Sequence, residues 1–258
     1  MSADVVVETI AAGVLQIRLN RPERMNALGF ETSQRLLEAL RNATAANTRV
    51  LLIRGTGKAF CAGADLKERR GMDAAQRAAH NLAINDFIQA LAGAPMPTIA
   101  VINGFALGGG CEVALACDMR LAASDALIGL TETRIGAIPG AGATQRLPRQ
   151  IGSALALELM LTGEPVTAAR AAEMGLLNAA VPAAMLDERA RALATVVASR
   201  SPLGLHEIKR LVYAGFDLPL REGLQREREG LLRVLASNDY AEGLAAFAER
   251  RPPRFSGE

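Results

Sequence analysis

The chain has 258 residues, half of them hydrophobic, with few aromatics, no Trp and a formal charge of +2. That length buries one full core, or a core with a helical appendage. Near-neutrality argues against a polyanion and against a nucleic-acid binder, and Arg35, Arg41 and Arg49 are scattered rather than clustered. The three cysteines, Cys61, Cys111 and Cys117, have no metal-ligand spacing, so no metal site is expected. Cys111 and Cys117 are six apart on one predicted helix and are not placed to pair, which fits a reducing interior. MSADVVVETI has no basic segment leading into an apolar run, and nowhere are there eighteen uninterrupted apolar residues. Neither a secretory signal nor a membrane span is expected, and a cytoplasmic location is.

In chain order, Val5–Thr9 and Val14–Leu19 are β-rich runs separated by Ala11-Ala12-Gly13, which predicts a hairpin. Asn20-Arg21-Pro22-Glu23 is turn chemistry. Leu36, Leu37 and Leu40 give residues 31–45 a helical period, and Val50–Ile53 is a buried strand stopped by glycines. Asp73 is placed to cap a helix reaching Leu91, with Leu82, Ile84, Phe87 and Ile88 facing inward. Pro95 and Pro97 stop it, and a second buried strand follows at Ile99–Ile102. Met119–Ala122 and Ala126–Gly129 are further short strands. From about Gly142 the pattern is helix after helix: Val166–Met174, Leu186–Ser199, one opened by Pro202, Leu218–Leu235 and Asp239–Arg250. The tail, Arg250 to Phe255, is expected to lie extended on a surface.

Three stretches carry chemistry. TIAVINGFALGGGCEVALACD, from Thr98, takes a strand through Gly108-Gly109-Gly110 into a helix, with Glu112 in its first turn. Such a corner bunches unpaired backbone N–H groups where an anion or oxyanion can sit. GKAFCAGADLKE, from Gly57, follows the Val50–Ile53 strand in the same way, and Ala62-Gly63-Ala64 is a bare turn open to close approach. GLTETRIGAIPGAGATQRLPR, from Gly129, adds Glu132 and another glycine corner ending in a helix. Two glutamates on segments that can meet in an apolar pocket divide acid and base duty, because burial and repulsion raise at least one pKa. Gly55-Thr56-Gly57-Lys58 is not a phosphate-binding loop, since its spacing is wrong and Ala59 stands where Ser or Thr is needed. Gly104 to Gly110 likewise lacks the dinucleotide fingerprint.

Asn20-Arg21-Pro22, FCAGADLKE from Phe60, NGFALGGGCE from Asn103 and PGAGATQRLPR from Pro139 together resemble the crotonase, or enoyl-CoA hydratase/isomerase, superfamily. The likeness runs in order through almost the whole chain. It implies an α/β fold: a crotonase, ClpP-like spiral of ββα units over residues 1–200, then a helical trimerisation region over 201–258. It also implies that an acyl-CoA thioester carbonyl is held by the Ala64 and Gly109 N–H groups, with Glu112 as base and Glu132 as acid for adding water to a trans-2-enoyl-CoA. Gly140 is implied to position the glutamate or the water through its N–H. Coenzyme A, entering as part of the substrate, is implied to lie along Ala62, Ala64, Asp65, Leu66 and Lys67, with Arg24 and Lys67 near its phosphates. The acyl pocket is expected between about Met72 and Phe87. No separate cofactor is implied, and a homotrimer or a dimer of trimers is. FCAGADLKER, GLTET and the tail are similar to the methylglutaconyl-CoA hydratase branch, some members of which bind RNA. Double-bond isomerisation or methylglutaconyl-CoA hydration on the same site, or a non-catalytic RNA-binding role, are the alternatives.

Overall fold

A computed structural model of the chain describes residues 3–258. Its framework is a six-stranded sheet and a four-stranded sheet. β1 (Val5–Ala11) and β2 (Val14–Leu19) form the predicted antiparallel hairpin, closed at Gly13 with φ +71°. β3 (Val50–Gly55), β5 (Thr98–Ile102), β7 (Met119–Ala123) and β10 (Ala179–Val181) then add parallel strands in the order β1-β2-β3-β5-β7-β10. The smaller sheet is β4 (Ala59–Cys61), β6 (Phe105–Leu107) and β8 (Leu127–Gly129), with β9 (Val166–Thr167) antiparallel at its edge. The pairs β3-β4, β5-β6 and β7-β8 thus each lay their first strand on the large sheet and their second on the small one, and pass on into a helix.

The apolar runs explain the layering. Along β3 and β5, Leu51, Ile53, Ala100 and Ile102 face the core that holds α1 (Phe30–Ala45) and α3 (Ala74–Ala92). The alternate residues, Val50, Leu52, Ile99 and Val101, face α8 (Leu186–Ala198) on the other side. A strand covered on both faces reads as a continuous hydrophobic run, which is what these sequences are. α2 (Leu66–Arg69) is a single turn, and α4 (Gly109–Ala116) is buried from Gly110 onward. α5 (Ala143–Ile151), α6 (Ser153–Thr162) and α7 (Ala168–Glu173) follow.

Two expectations need correction. Val166–Met174 is not one helix, because Val166 and Thr167 pair with Ile128 and Leu127, and the Thr167 side chain caps α7 at Arg170 N. Leu82 is exposed, since two helical residues turn it about 200° away from buried Ile84. Asp73 caps α3 as predicted, in a reciprocal capping box with Gln76.

Beyond α8 the chain is helical: α9 (Pro202–Gly215), α10 (Leu220–Leu235) and α11 (Asn238–Glu249). Asp118 moors α9 to the core by accepting from Lys209 Nζ at 2.9 Å, Tyr213 Oη at 2.9 Å and Thr98 N at 2.7 Å. The tail lies back along α11, where Asp239 accepts from Ser256 N and Gly257 N and Glu242 accepts from Arg251 and Arg254 N. Arg49 is spent on the carbonyls of Ala198 and Phe255. No described helix is long and apolar enough to cross a membrane.

Candidate active site

Two backbone corners meet at one cavity. The first follows β4. Leu28 N donates to Gly63 O at 2.7 Å and Leu28 O accepts from Asp65 N at 2.9 Å, which pins residues 63–65 and leaves Ala64 N–H without an acceptor among the described residues. The second follows β6, where Gly109 is the first residue of α4 and so has no partner within its helix. A β-carbon built on Gly109 would lie 3.6 Å from the Ala64 nitrogen, and one on Gly63 would lie 3.0 Å from the Gly109 nitrogen. The two free N–H groups flank one spot, as their sequence stretches predict.

Glu112, on α4, is 3% exposed. Its Oε1 accepts from Ala141 N at 2.6 Å and Ala143 N at 3.1 Å. Burial raises its pKa, while these two N–H groups and the nearby Arg146 guanidinium draw it back toward the carboxylate. Gly140, expected to position the glutamate or the water, is the smallest of the backbone contributors to Glu112 and offers its carbonyl to Asn85 Nδ2 at 2.7 Å. The carboxylate is held chiefly by the next residues of the same corner, Ala141 and Ala143.

Glu132 opens a 3-10 turn, Glu132–Ile135, directly after the small sheet. Burial, then the Glu112 charge, push its pKa up to about 7. Its Oε2 is buried and has no hydrogen-bond partner among the described residues. Gly108 sits against it with φ +52°, and a β-carbon there would come within 3.0 Å of Glu132 Oε1. Only glycine lets the oxyanion corner and the second carboxylate share so small a space.

Both glutamates, Ala62, Ala64, Gly109 and Gly140 line a single cavity of about 120 Å³. Leu66 stands at its rim, half-exposed. Asn81 and Ile84, from the stretch expected to form the acyl pocket, make one wall; Ile135 and Ile138 make another. Arg24, Asp65 and Lys67 do not line it. Asp65 is turned inward, where it caps α2 through Lys67 N and Glu68 N and pairs with Arg21 at 3.2 Å and Arg24 at 3.8 Å. Its role is to shape the turn, and Arg21 is a partner the sequence did not reveal. Arg24 keeps an exposed face and Lys67 is exposed. Arg69 also lines the cavity, which nothing in the run Lys67-Glu68-Arg69-Arg70 had signalled. The three cysteines are free and buried, with Cys61 and Cys117 pushed up to about 12, so none is a ready nucleophile.

Two buried carboxyl groups beside a pair of free N–H groups, on a spiral of ββα units, have the chemistry to hold an oxyanion and to move a proton. The family model for enoyl-CoA hydratase/isomerase matches residues 9–258, and the chain belongs to that family, the crotonase superfamily. It is 44% identical over 254 residues to the bovine (Bos taurus) mitochondrial enoyl-CoA hydratase domain-containing protein 2, covering 95% of this chain and 85% of that one. It is 38% identical over 256 residues to the enoyl-CoA isomerase/hydratase fer4 of Mycosarcoma maydis, covering 95% and 93%. The crystal structure of enoyl-CoA hydratase from Bacillus anthracis superposes with a TM-score of 0.96 at 43% identity, over 99% of this chain and all of the other.

Proposed function

We propose that the chain is an enoyl-CoA hydratase, adding water across the 2,3 double bond of a trans-2-enoyl-CoA to give the 3-hydroxyacyl-CoA. The observation that carries this is the contrast within one cavity: Glu112 fixed by two N–H groups, and Glu132 with an unpartnered buried oxygen and a pKa near 7. The thioester oxygen accepts from Ala64 and Gly109 N–H, which polarises the double bond toward C3. A water lies between the carboxyl groups. Glu112 takes its proton as the oxygen bonds to C3, the enolate charge collects on the held oxygen, and Glu132 gives its proton to C2. One H and one OH are added, and proton exchange within the pair restores the starting state. The thioester already acidifies C2, so the reaction calls for no metal or redox group. CoA is read along the 62–67 turn, with Arg24 and Lys67 on the exposed side for its phosphates.

The direct test follows the 2-enoyl thioester absorbance of crotonyl-CoA with wild type and Glu112→Gln. Wild type is expected to bleach it and the variant to lose turnover while still binding butyryl-CoA. Intact absorbance with folded wild type sinks the short-chain reading. A 3-enoyl substrate turned over faster than crotonyl-CoA would replace hydration by isomerisation, which needs only Glu132.

The same reading includes a homotrimer or a dimer of trimers. α9–α11 expose apolar residues, among them Ile208, Leu220, Leu224 and Phe247, the last 86% exposed, which in a soluble chain marks a surface that another copy covers. Sedimentation is expected to give three or six times 27.2 kDa; a monomer overturns it.

A further inference from the structure

Glu112 depends on a corner that cannot hold itself. Ala141 N and Ala143 N reach its Oε1 from the run Gly140-Ala141-Gly142-Ala143, which has no side chain larger than a methyl group. From Ile138 to Ala141 no backbone group pairs with another backbone group among the described residues. The ties come from α3 and α5. Asn85 Nδ2 donates to Gly140 O at 2.7 Å, and Arg146 Nη1 donates to Ala141 O at 3.0 Å. Arg146 is held in turn by Gln89 Oε1, which accepts from its Nη2 at 2.7 Å. Asn85 Nδ2 also donates to Asn81 Oδ1 at 2.9 Å. Both accepting oxygens would repel an amide oxygen, so the Asn85 amide stands only one way round.

Asn81, Asn85 and Gln89 are four residues apart, on one stripe of α3. The neighbouring stripe, Ile84, Phe87, Ile88 and Leu91, is buried in the core, so the row of amides stands on a rigid support. That support matters to a base, which gains and loses a proton in one turnover. A protonated Glu112 pulls less on the two N–H groups, and a corner held by that carboxylate alone would drift. Asn85 and Arg146 hold the corner by its carbonyls, whatever the charge on Glu112, and keep both N–H groups aimed at Oε1. Donors fixed before the charge returns cost no reorganisation when it does.

We propose that Asn85 is a positioning residue for the hydration: it seats the 139–142 corner on α3 so that Ala141 and Ala143 N–H meet Glu112, with Gln89 and Arg146 as the second tie. This rests on the reading of Glu112 as the base. Asn85 does not line the cavity and acts only through the corner.

The experiment replaces Asn85 by Leu, which keeps the volume and has no donor, and by Gln, which keeps the amide on a longer stem. In Asn85→Leu, kcat for crotonyl-CoA is expected to fall about ten- to a hundredfold, the range of a slightly misplaced catalytic group. KM and butyryl-CoA affinity are expected to stay within about twofold, and Asn85→Gln to regain part of the lost rate. Weaker N–H contacts favour the protonated acid, so the acid limb of kcat is expected to move to higher pH by about half a unit to one unit. The ionisable groups around Glu112 are Arg146 from α5, Glu132 from the 3-10 turn, Arg69 on the cavity wall and Cys111 beside it on α4. Asn85→Leu changes none of them, so the limb reports the corner. A wild-type kcat and pH profile in Asn85→Leu overturns the proposal. So does a fall in kcat that comes with a higher KM and an unmoved acid limb and that Asn85→Gln does not relieve, since Asn85 would then only pack α3. If no ester is hydrated, the hydratase reading alone has failed, and infrared titration still decides. The Glu112 carboxyl band, identified by its loss in Glu112→Gln, is expected to titrate at higher pH in Asn85→Leu than in wild type. Identical titrations in the two proteins remove Asn85 from the support of Glu112.

Discussion

Replacing Glu132 by Gln is expected to lower kcat for crotonyl-CoA about 10²–10⁴-fold, the usual worth of a positioned general acid. Gln keeps the shape and a hydrogen bond to water but has no proton to release to C2. Butyryl-CoA affinity is expected to change little, because on the proposed reading the thioester oxygen is held by Ala64 and Gly109. A kcat within threefold of wild type would rule out Glu132 as the acid. The pKa near 7 adds a pH signature. As the proposed acid Glu132 works protonated, so hydration is expected to fall as pH rises through about 7, while protonation of Glu112 sets the acid limb. Stability has its own sign. Burial raises the folded-state pKa of Glu132 above its ordinary 4.5, so the folded chain holds this proton more tightly than the unfolded one. The cost of the buried charge is absent below pH 4.5, grows as pH rises and is complete above about 7. Glu132→Gln is therefore expected to melt at a higher temperature than wild type at pH 8 and at a similar one at pH 4.5. The variant that loses most activity gains stability, as follows when an acid is kept in an unfavourable place for its chemistry. A lower melting temperature for the variant at pH 8 would show that the charge is not penalised there.

How much of this was legible in the sequence depended on which atoms do the work. The long strands β3 and β5 announce themselves because both faces are buried, and the two corners do so because backbone donors exclude side chains, leaving Ala62-Gly63-Ala64 and Gly108-Gly109-Gly110 as a compositional trace. β4, β6 and β10 have three residues each, too few for any period; they exist because neighbouring units offer them a ladder. The support of Glu112 was only half readable. The corner Pro139–Gly142 is visible, but which of its N–H groups meets the carboxylate depends on how α5 approaches α4 across some thirty residues of chain. Asp65 reads as a ligand contact because it stands in the 62–67 turn; its carboxylate is consumed by capping and by Arg21 and Arg24. Among Lys67, Glu68, Arg69 and Arg70, only the rotation of one helical turn decides which charge meets the cavity.

Gly63→Ala is expected to lower kcat by about 10²–10³-fold, the effect of disabling one oxyanion donor. Gly63 has φ +87°, and a β-carbon there would meet Leu107 O at 2.8 Å and Gly109 N at 3.0 Å. The methyl group would be wedged between the two corners whose free N–H groups must converge on one oxygen, and either corner can yield only by turning its donor away. Since an enolate gains more from those donors than a ground-state thioester does, kcat is expected to fall more than affinity for butyryl-CoA. Part of the damage is backbone strain common to any alanine at positive φ, about 1–2 kcal/mol. Gly175→Ala separates the two effects. Gly175 has φ +78°, and a β-carbon there meets nothing within 4 Å. It is expected to lose comparable stability from strain while turning over crotonyl-CoA at close to the wild-type rate. If Gly63→Ala also kept its rate, the thioester oxygen would have to be held somewhere other than between Ala64 and Gly109. Should both variants lose activity in proportion to stability, the effect would be general unfolding. Loss in Gly63→Ala alone places the reacting carbonyl at the junction of the two glycine corners.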